Sequence, residues 1–89
     1  MQIRLDEKLQ KEIKEIKKKD SKLFGKIQKQ LSLFVANSKH RSLRVHKLSG
    51  KLDNIWSISI TKDIRITYLQ DGDEAYFFDI GTHDEVYKK

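Results

Sequence analysis

The chain has 89 residues, 37% of them hydrophobic, and a formal net charge of +6, which suffices for one hydrophobic core and not for two. It contains no cysteine, so a disulfide framework and a thiolate metal site are excluded and a reducing, cytoplasmic setting is permitted. No apolar run approaches a membrane span, and no apolar signal segment follows the first charges; a soluble, unprocessed single domain over residues 1–89 is expected.

Charge is unevenly placed. Residues 1–51 carry 15 basic and 5 acidic side chains, whereas residues 52–89 carry 4 basic and 8 acidic ones. A basic half of this kind attracts polyanions and speeds encounter with them, which points to nucleic acid, the ribosome or an acidic protein partner. A solvated lysine-rich helix face is the plain alternative.

Leu5, Leu9, Ile13 and Ile16 recur at helical spacing among Lys, Glu and Gln, predicting an amphipathic helix over roughly residues 6–19. Asp20 or Ser21 is suited to cap a second helix, whose apolar side is Leu23, Phe24, Ile27, Leu31, Phe34 and Val35 and whose end signal is Asn37. So short a connection predicts a helical hairpin with its apolar faces against a sheet.

From Ser42 the period becomes two. Leu43 and Val45 alternate with Arg44 and His46, giving a first strand before the turn signal Ser49-Gly50. Trp56, Ile58 and Ile60 then alternate with Ser57 and Ser59, and Ile64, Ile66 and Tyr68 with Arg65 and Thr67, across a turn at Thr61 to Asp63. Asp71-Gly72 marks another tight turn, and Ala75 to Ile80 reads as the last strand, with Tyr76, Phe78 and Ile80 inward. Thr82 and Glu85 have capping-box spacing, and a helical turn there sets His83 and Tyr87 four apart on one side. The predicted fold class is α+β: an N-terminal helical hairpin packed on a four-stranded antiparallel sheet, with a short C-terminal helical turn.

Alternation also predicts a polar face. If Trp56, Ile58, Ile64, Ile66, Tyr76 and Phe78 face the helices, then Ser57, Ser59, Arg65, Thr67 and Asp79 share the other side. His46 has the parity to join them, and His83 with Tyr87 follows the last strand. Two imidazoles, a guanidinium and a phenol suit RNA cleavage without a metal: a base takes the ribose 2′-hydroxyl proton, an acid protonates the leaving 5′-oxygen, and a cation stabilises the phosphate. His46 is read as base, His83 as acid, and Arg65 as the phosphate clamp, with the two histidine roles open to exchange. Three scattered histidines lack metal-ligand spacing, and neither a glycine-rich phosphate loop nor a nucleophile elbow is present.

The segments 46–50, 56–60, 63–68 and 79–87 (HKLSG, WSISI, DIRITY and DIGTHDEVY) resemble the RelE/ParE superfamily of bacterial toxins, and within it most the YafQ-like branch. The resemblance spans nearly the whole chain and implies a RelE-like microbial RNase fold, a cognate antitoxin, no cofactor, and cleavage of mRNA in the ribosomal A site. It implies catalytic histidines at His46 and His83, an acidic residue at Asp63 that tunes a neighbour, an arginine at Arg65 and an aromatic at Tyr87 that stacks on or orients the nucleotide. Lys11, Lys14, Lys18, Lys22, Lys26, Arg44 and Lys47 are the expected RNA and ribosome contacts. The chain departs from the family pattern at Ser57, Ser59 and Asp79, where such toxins carry cations or a histidine. Those departures keep two alternatives in view: a non-nuclease toxin of the ParE kind, which acts on DNA gyrase, and a nuclease-dead homologue that only binds an antitoxin.

Overall fold

A computed structural model describes residues 1–48, 54–82 and Val86. In chain order the elements are β1 (Gln2–Leu5), α1 (Glu7–Lys19), α2 (Ser21–Ala36), a 3-10 turn (Arg41–Leu43), β2 (His46–Lys47), β3 (Ile55–Ser59), β4 (Ile64–Asp71) and β5 (Glu74–Thr82). The sheet order is β1-β5-β4-β3-β2.

The helical hairpin follows from its caps. The Asp6 carboxylate accepts the Lys8 N–H at 3.1 Å and starts α1. Asp20 both ends that helix, donating its N–H to the Ile16 carbonyl at 2.7 Å, and begins the next by accepting from Leu23 N–H at 3.1 Å. One residue therefore does the work of a loop, and the two helices are held side by side. Asn37 closes α2 as expected, its N–H bonded to the Leu33 carbonyl. Lys17, Lys18 and Lys19 occupy the last turn of α1, where the helix dipole favours cations. Among the described residues no helix is long and apolar enough to cross a membrane.

Three expectations about the sheet are corrected. The sheet has five strands and is mixed: β1 lies parallel to β5, Ile3 opposite Ala75 and Leu5 opposite Phe77. Leu5 fits the helical stripe of Leu9 and Ile13, which hides the alternation of Ile3 and Leu5 in a strand whose partner is 72 residues away. The first strand of the alternating region shrinks to His46–Lys47, because Arg41–Leu43 winds into a 3-10 turn. His40 caps that turn through Nδ1, Leu43 goes fully into the core, and Arg44 leaves it in a left-handed conformation (φ 45°, ψ 56°).

The third correction concerns β5. Thr67 pairs with Asp79 but Tyr68 pairs with Phe77, so Phe78 is an extra residue at a register shift. Ala75 and Phe77, rather than Tyr76 and Phe78, are therefore the buried residues before the shift, while Ile80 opposite Ile66 keeps the inward phase after it.

Tyr76, turned away from the core, donates its hydroxyl to Asp6 at 2.6 Å. That bond holds the Asp6 carboxyl below its usual range and raises the Tyr76 phenol.

The β4–β5 turn is as expected. Gly72 takes a positive φ of 58°, and Asp71 pairs with Glu74 across it, the pattern of a tight hairpin that needs glycine at its first central position.

The core lies between the hairpin and the sheet. Phe34 of α2 meets Tyr68 and Phe77 edge-on, with ring centroids 5.1 and 5.3 Å away, and Leu9, Ile27, Leu43, Ile58 and Ile66 close around the trio. Each such side chain contributes about 1.5–3 kcal/mol by leaving water. Burial also pushes the Tyr68 phenol up to about 12.

Candidate functional site

Side chains directly opposite on antiparallel strands project to the same side of a sheet. Register therefore builds two rows on the face away from the helices: His46, Ser57, Thr67 and Asp79 in one, Ser59, Arg65 and Gly81 in the next. This is the polar face that alternation predicts, and His46 is on it. At about 4.8 Å between strands, His46 and Asp79 stand roughly 14 Å apart, backbone to backbone, so the carboxylate does not touch the imidazole. His46 is exposed at one edge of the sheet.

The middle of this face is closed to solvent. Ser57, Ser59, Arg65 and Thr67 are all buried, with Arg65 only 7% exposed. A buried guanidinium is stable only when its fork is occupied, and here Nε donates to Ser57 Oγ at 2.8 Å while Nη2 donates to the Ser57 carbonyl at 3.2 Å and to the Arg44 carbonyl. The expectation of an arginine open to a phosphate thus meets a side chain bound into the protein beneath the face. Ser59 turns its hydroxyl to the Thr61 carbonyl at 2.8 Å. At two of the three positions where the chain departs from the family pattern, Ser57 and Ser59, the hydroxyls serve internal bonds.

Asp63 is not brought to His46. It sits exposed in the β3–β4 turn, where its N–H bonds Thr61 Oγ1, and it lines a depression with Asp20, Lys22, Lys26 and Ile64 at the start of α2. His83 and Tyr87, with Glu85 of the capping box and the Ser49-Gly50 turn, lie outside the described residues. Gly81, two residues before His83 in the chain, pairs with Arg65, and Val86 is buried.

Lys11, Lys14, Lys18, Lys22, Lys26, Arg44 and Lys47 are all exposed. Lys11 and Lys14 border a groove of about 420 Å³ whose floor is Leu5, Ile13 and Phe24, and Lys17 lies over the Phe24 ring at 5.4 Å. Among the described residues no three histidine or carboxylate groups gather as a metal ion would need.

Sequence reasoning missed Gln30. From inside α2 its amide donates to the Ser59 carbonyl at 2.8 Å and the Ser42 carbonyl at 3.3 Å, fixing β3 and the 3-10 turn to the helix. A glutamine at the phase of Ile27 and Phe34 on an otherwise apolar stripe is the signal that could have found it.

The arrangement therefore offers one exposed imidazole on a polar face, a buried cation behind it, and a wall of lysines on the helices. Among solved structures, the YoeB dimer from Staphylococcus aureus superposes with a TM-score of 0.77 at 20% identity, covering 93% of this chain and 97% of that one. The Escherichia coli DinJ-YafQ complex gives 0.76 at 17% identity, with 96% of each chain covered. The YoeB/ParE toxin from Agrobacterium tumefaciens gives 0.75 at 16% identity, covering 93% and 99%. Likeness at such identities carries the fold alone. No curated protein matches the sequence. The family model described as bacterial toxin of type II toxin-antitoxin system, YafQ, matches residues 1–88, and on that match the chain belongs to the YafQ family of toxins.

Proposed function

We propose that this chain is a metal-independent endoribonuclease toxin that cuts mRNA on the ribosome and is restrained by a cognate antitoxin in the cytoplasm. The observation that carries the reading is the register of His46, exposed and in one row with Ser57 on the face that also holds Arg65. His46 takes the 2′-hydroxyl proton, the oxygen attacks the adjacent phosphorus, and His83 protonates the departing 5′-oxygen, leaving a cyclic phosphate and a 5′-hydroxyl. Arg65 supplies positive charge from beneath the face, Tyr87 stacks on the nucleotide, and Asp63 shares its depression with Lys22 and Lys26. Exposed lysines of both helices, with Arg44 and Lys47, hold ribosomal RNA, so binding weakens steeply with salt. The DinJ-YafQ complex among the similar folds supports an antitoxin partner.

Mapping transcript 5′ ends after brief induction tests the reading. Wild type should produce new ends inside translated codons, and His46→Ala and His83→Ala should produce none. Growth arrest without new ends removes the nuclease.

A second reading has its own support: Ser57 and Ser59 turn their hydroxyls to internal bonds, and Arg65 is sealed. A non-nuclease toxin acting on DNA gyrase would need no cation there. Supercoiling by purified gyrase should be unchanged by a ribosomal nuclease and inhibited by such a toxin.

A further inference from the structure

We infer that Arg65 is a positioning residue that locks the His46 strand in place, and is not itself a ligand of the scissile phosphate. The inference rests on the nuclease reading for its consequence in catalysis, though not for the lock itself. β2 is two residues long and lies at the sheet edge, where its ladder consists of the pairs His46–Ser57 and Lys47–Trp56. So short an edge strand has little ladder of its own and is expected to fray.

What precedes it is also poor at holding itself. Arg44 is left-handed, a conformation that disfavours any residue with a Cβ and persists only when its surroundings enforce it. Its N–H bonds back to the Arg41 carbonyl at 3.1 Å, and its carbonyl is held from β4. Arg65 Nη2 binds the Arg44 carbonyl and, at 3.2 Å, the Ser57 carbonyl, while Nε binds Ser57 Oγ at 2.8 Å. Ser57 is the residue opposite His46, and Arg44 stands two residues before it. One planar fork therefore staples the entry of β2 to the very position on β3 against which His46 is registered.

Lysine cannot replace it, because an ammonium lacks the rigid fork that reaches both carbonyls and the hydroxyl together. Two apolar anchors flank the segment. Leu43 is buried before it, and Leu48 after it, with the Leu48 N–H on the Ile55 carbonyl at 2.9 Å. Neither sets the turn at Arg44. A buried guanidinium spent on this task also explains why Ser57 is a small hydroxyl residue: a longer side chain there would occupy the guanidinium's place.

The test uses the full chain, isotope-labelled, in three forms: wild type, Ser57→Ala and Arg65→Lys. Amide exchange of residues 45–48 should speed up about tenfold in both variants, while Ile66 and Phe77 in the central strands keep wild-type protection. The His46 ring resonances should move with it. In steady-state cleavage of RNA on ribosomes, kcat should fall while KM stays within about twofold, since the lysines that bind the particle are untouched.

Unchanged exchange at 45–48 in both variants overturns the lock. So does a fall in kcat for Arg65→Lys with exchange unaltered, which is the mark of a guanidinium acting on the phosphate in the transition state. The exchange arm needs no substrate, so a wild type that cuts no RNA defeats the nuclease reading and leaves the lock to be judged on exchange alone.

Discussion

The two faces of the sheet are built from the same strands and are about equally dry, yet they are held by different forces. Toward the helices, Ile58, Ile66, Tyr68 and Phe77 pack on Phe34, Leu9 and Ile27. Away from them, Ser57, Ser59, Arg65 and Thr67 are also buried, but there directed hydrogen bonds tie Arg65 to Ser57 and Ser59 to the Thr61 carbonyl. Apolar contact is additive and forgiving, whereas a buried polar group that loses its partner carries the whole cost of its desolvation. The helix side should thus answer to volume, and the other side to geometry.

Phe34→Ala is the largest test of the volume side. Phe34 is fully buried and shares the aromatic trio, so truncation should cost about 3–5 kcal/mol in denaturant unfolding. A loss under 1 kcal/mol would mean that the trio is not the centre of the core. Gln30→Ala tests the boundary between the faces. It strands the Ser59 and Ser42 carbonyls, and should cost about 1–3 kcal/mol; Gln30→Leu, which keeps the bulk, should recover little of that if the bonds matter and most of it if only packing does.

The helix side was legible because its signals are local. Asp20 and Asn37 cap the second helix from within one turn, and Leu9, Ile13, Ile27 and Phe34 mark the stripes by spacing alone. β1 was not legible, since its pairing is with a strand at the other end of the chain and Leu5 fits a helical stripe equally well. The phase of β5 was misread for another reason: one extra residue at Phe78 leaves composition unchanged and reverses which side Tyr76 and Phe77 take. At the candidate site, parity assigned His46 and Arg65 to the right face. It could not say that Arg65 is sealed, because alternation gives direction and burial depends on what lies above.

A smaller effect, of opposite sign, is expected on the polar side. The Thr67 hydroxyl is buried and has no hydrogen-bond partner among the described residues. Thr67→Val keeps the branched shape and removes the unmet group, so stability should stay level or rise by up to about 1 kcal/mol. A loss of more than about 1 kcal/mol would show that the hydroxyl is bonded after all, and that this face is as tightly satisfied at Thr67 as at Arg65.

The smallest effect concerns the latch between the helix layer and the sheet, where Tyr76 donates to the capping carboxylate of α1. The bond lowers the Asp6 carboxyl from 3.8, so its contribution is present above that pH and is lost as the pH falls through the depressed folded value. The same bond raises the Tyr76 phenol from 10.0, so this contribution is complete below pH 10 and disappears as the pH rises through the elevated value. Tyr76→Phe should lower Tm slightly at neutral pH, and the gap to wild type should close at both extremes. Tyr68 separates the two causes of alkaline loss. Its phenol, pushed to about 12 by burial alone, makes the fold weaken between pH 10 and 12 in wild type and in Tyr76→Phe alike. A Tyr76→Phe chain that keeps the wild-type Tm from pH 3 to pH 11 would mean that Tyr76 holds the helix by packing its ring, with Arg4 at 5.9 Å over it, and that the hydroxyl adds nothing.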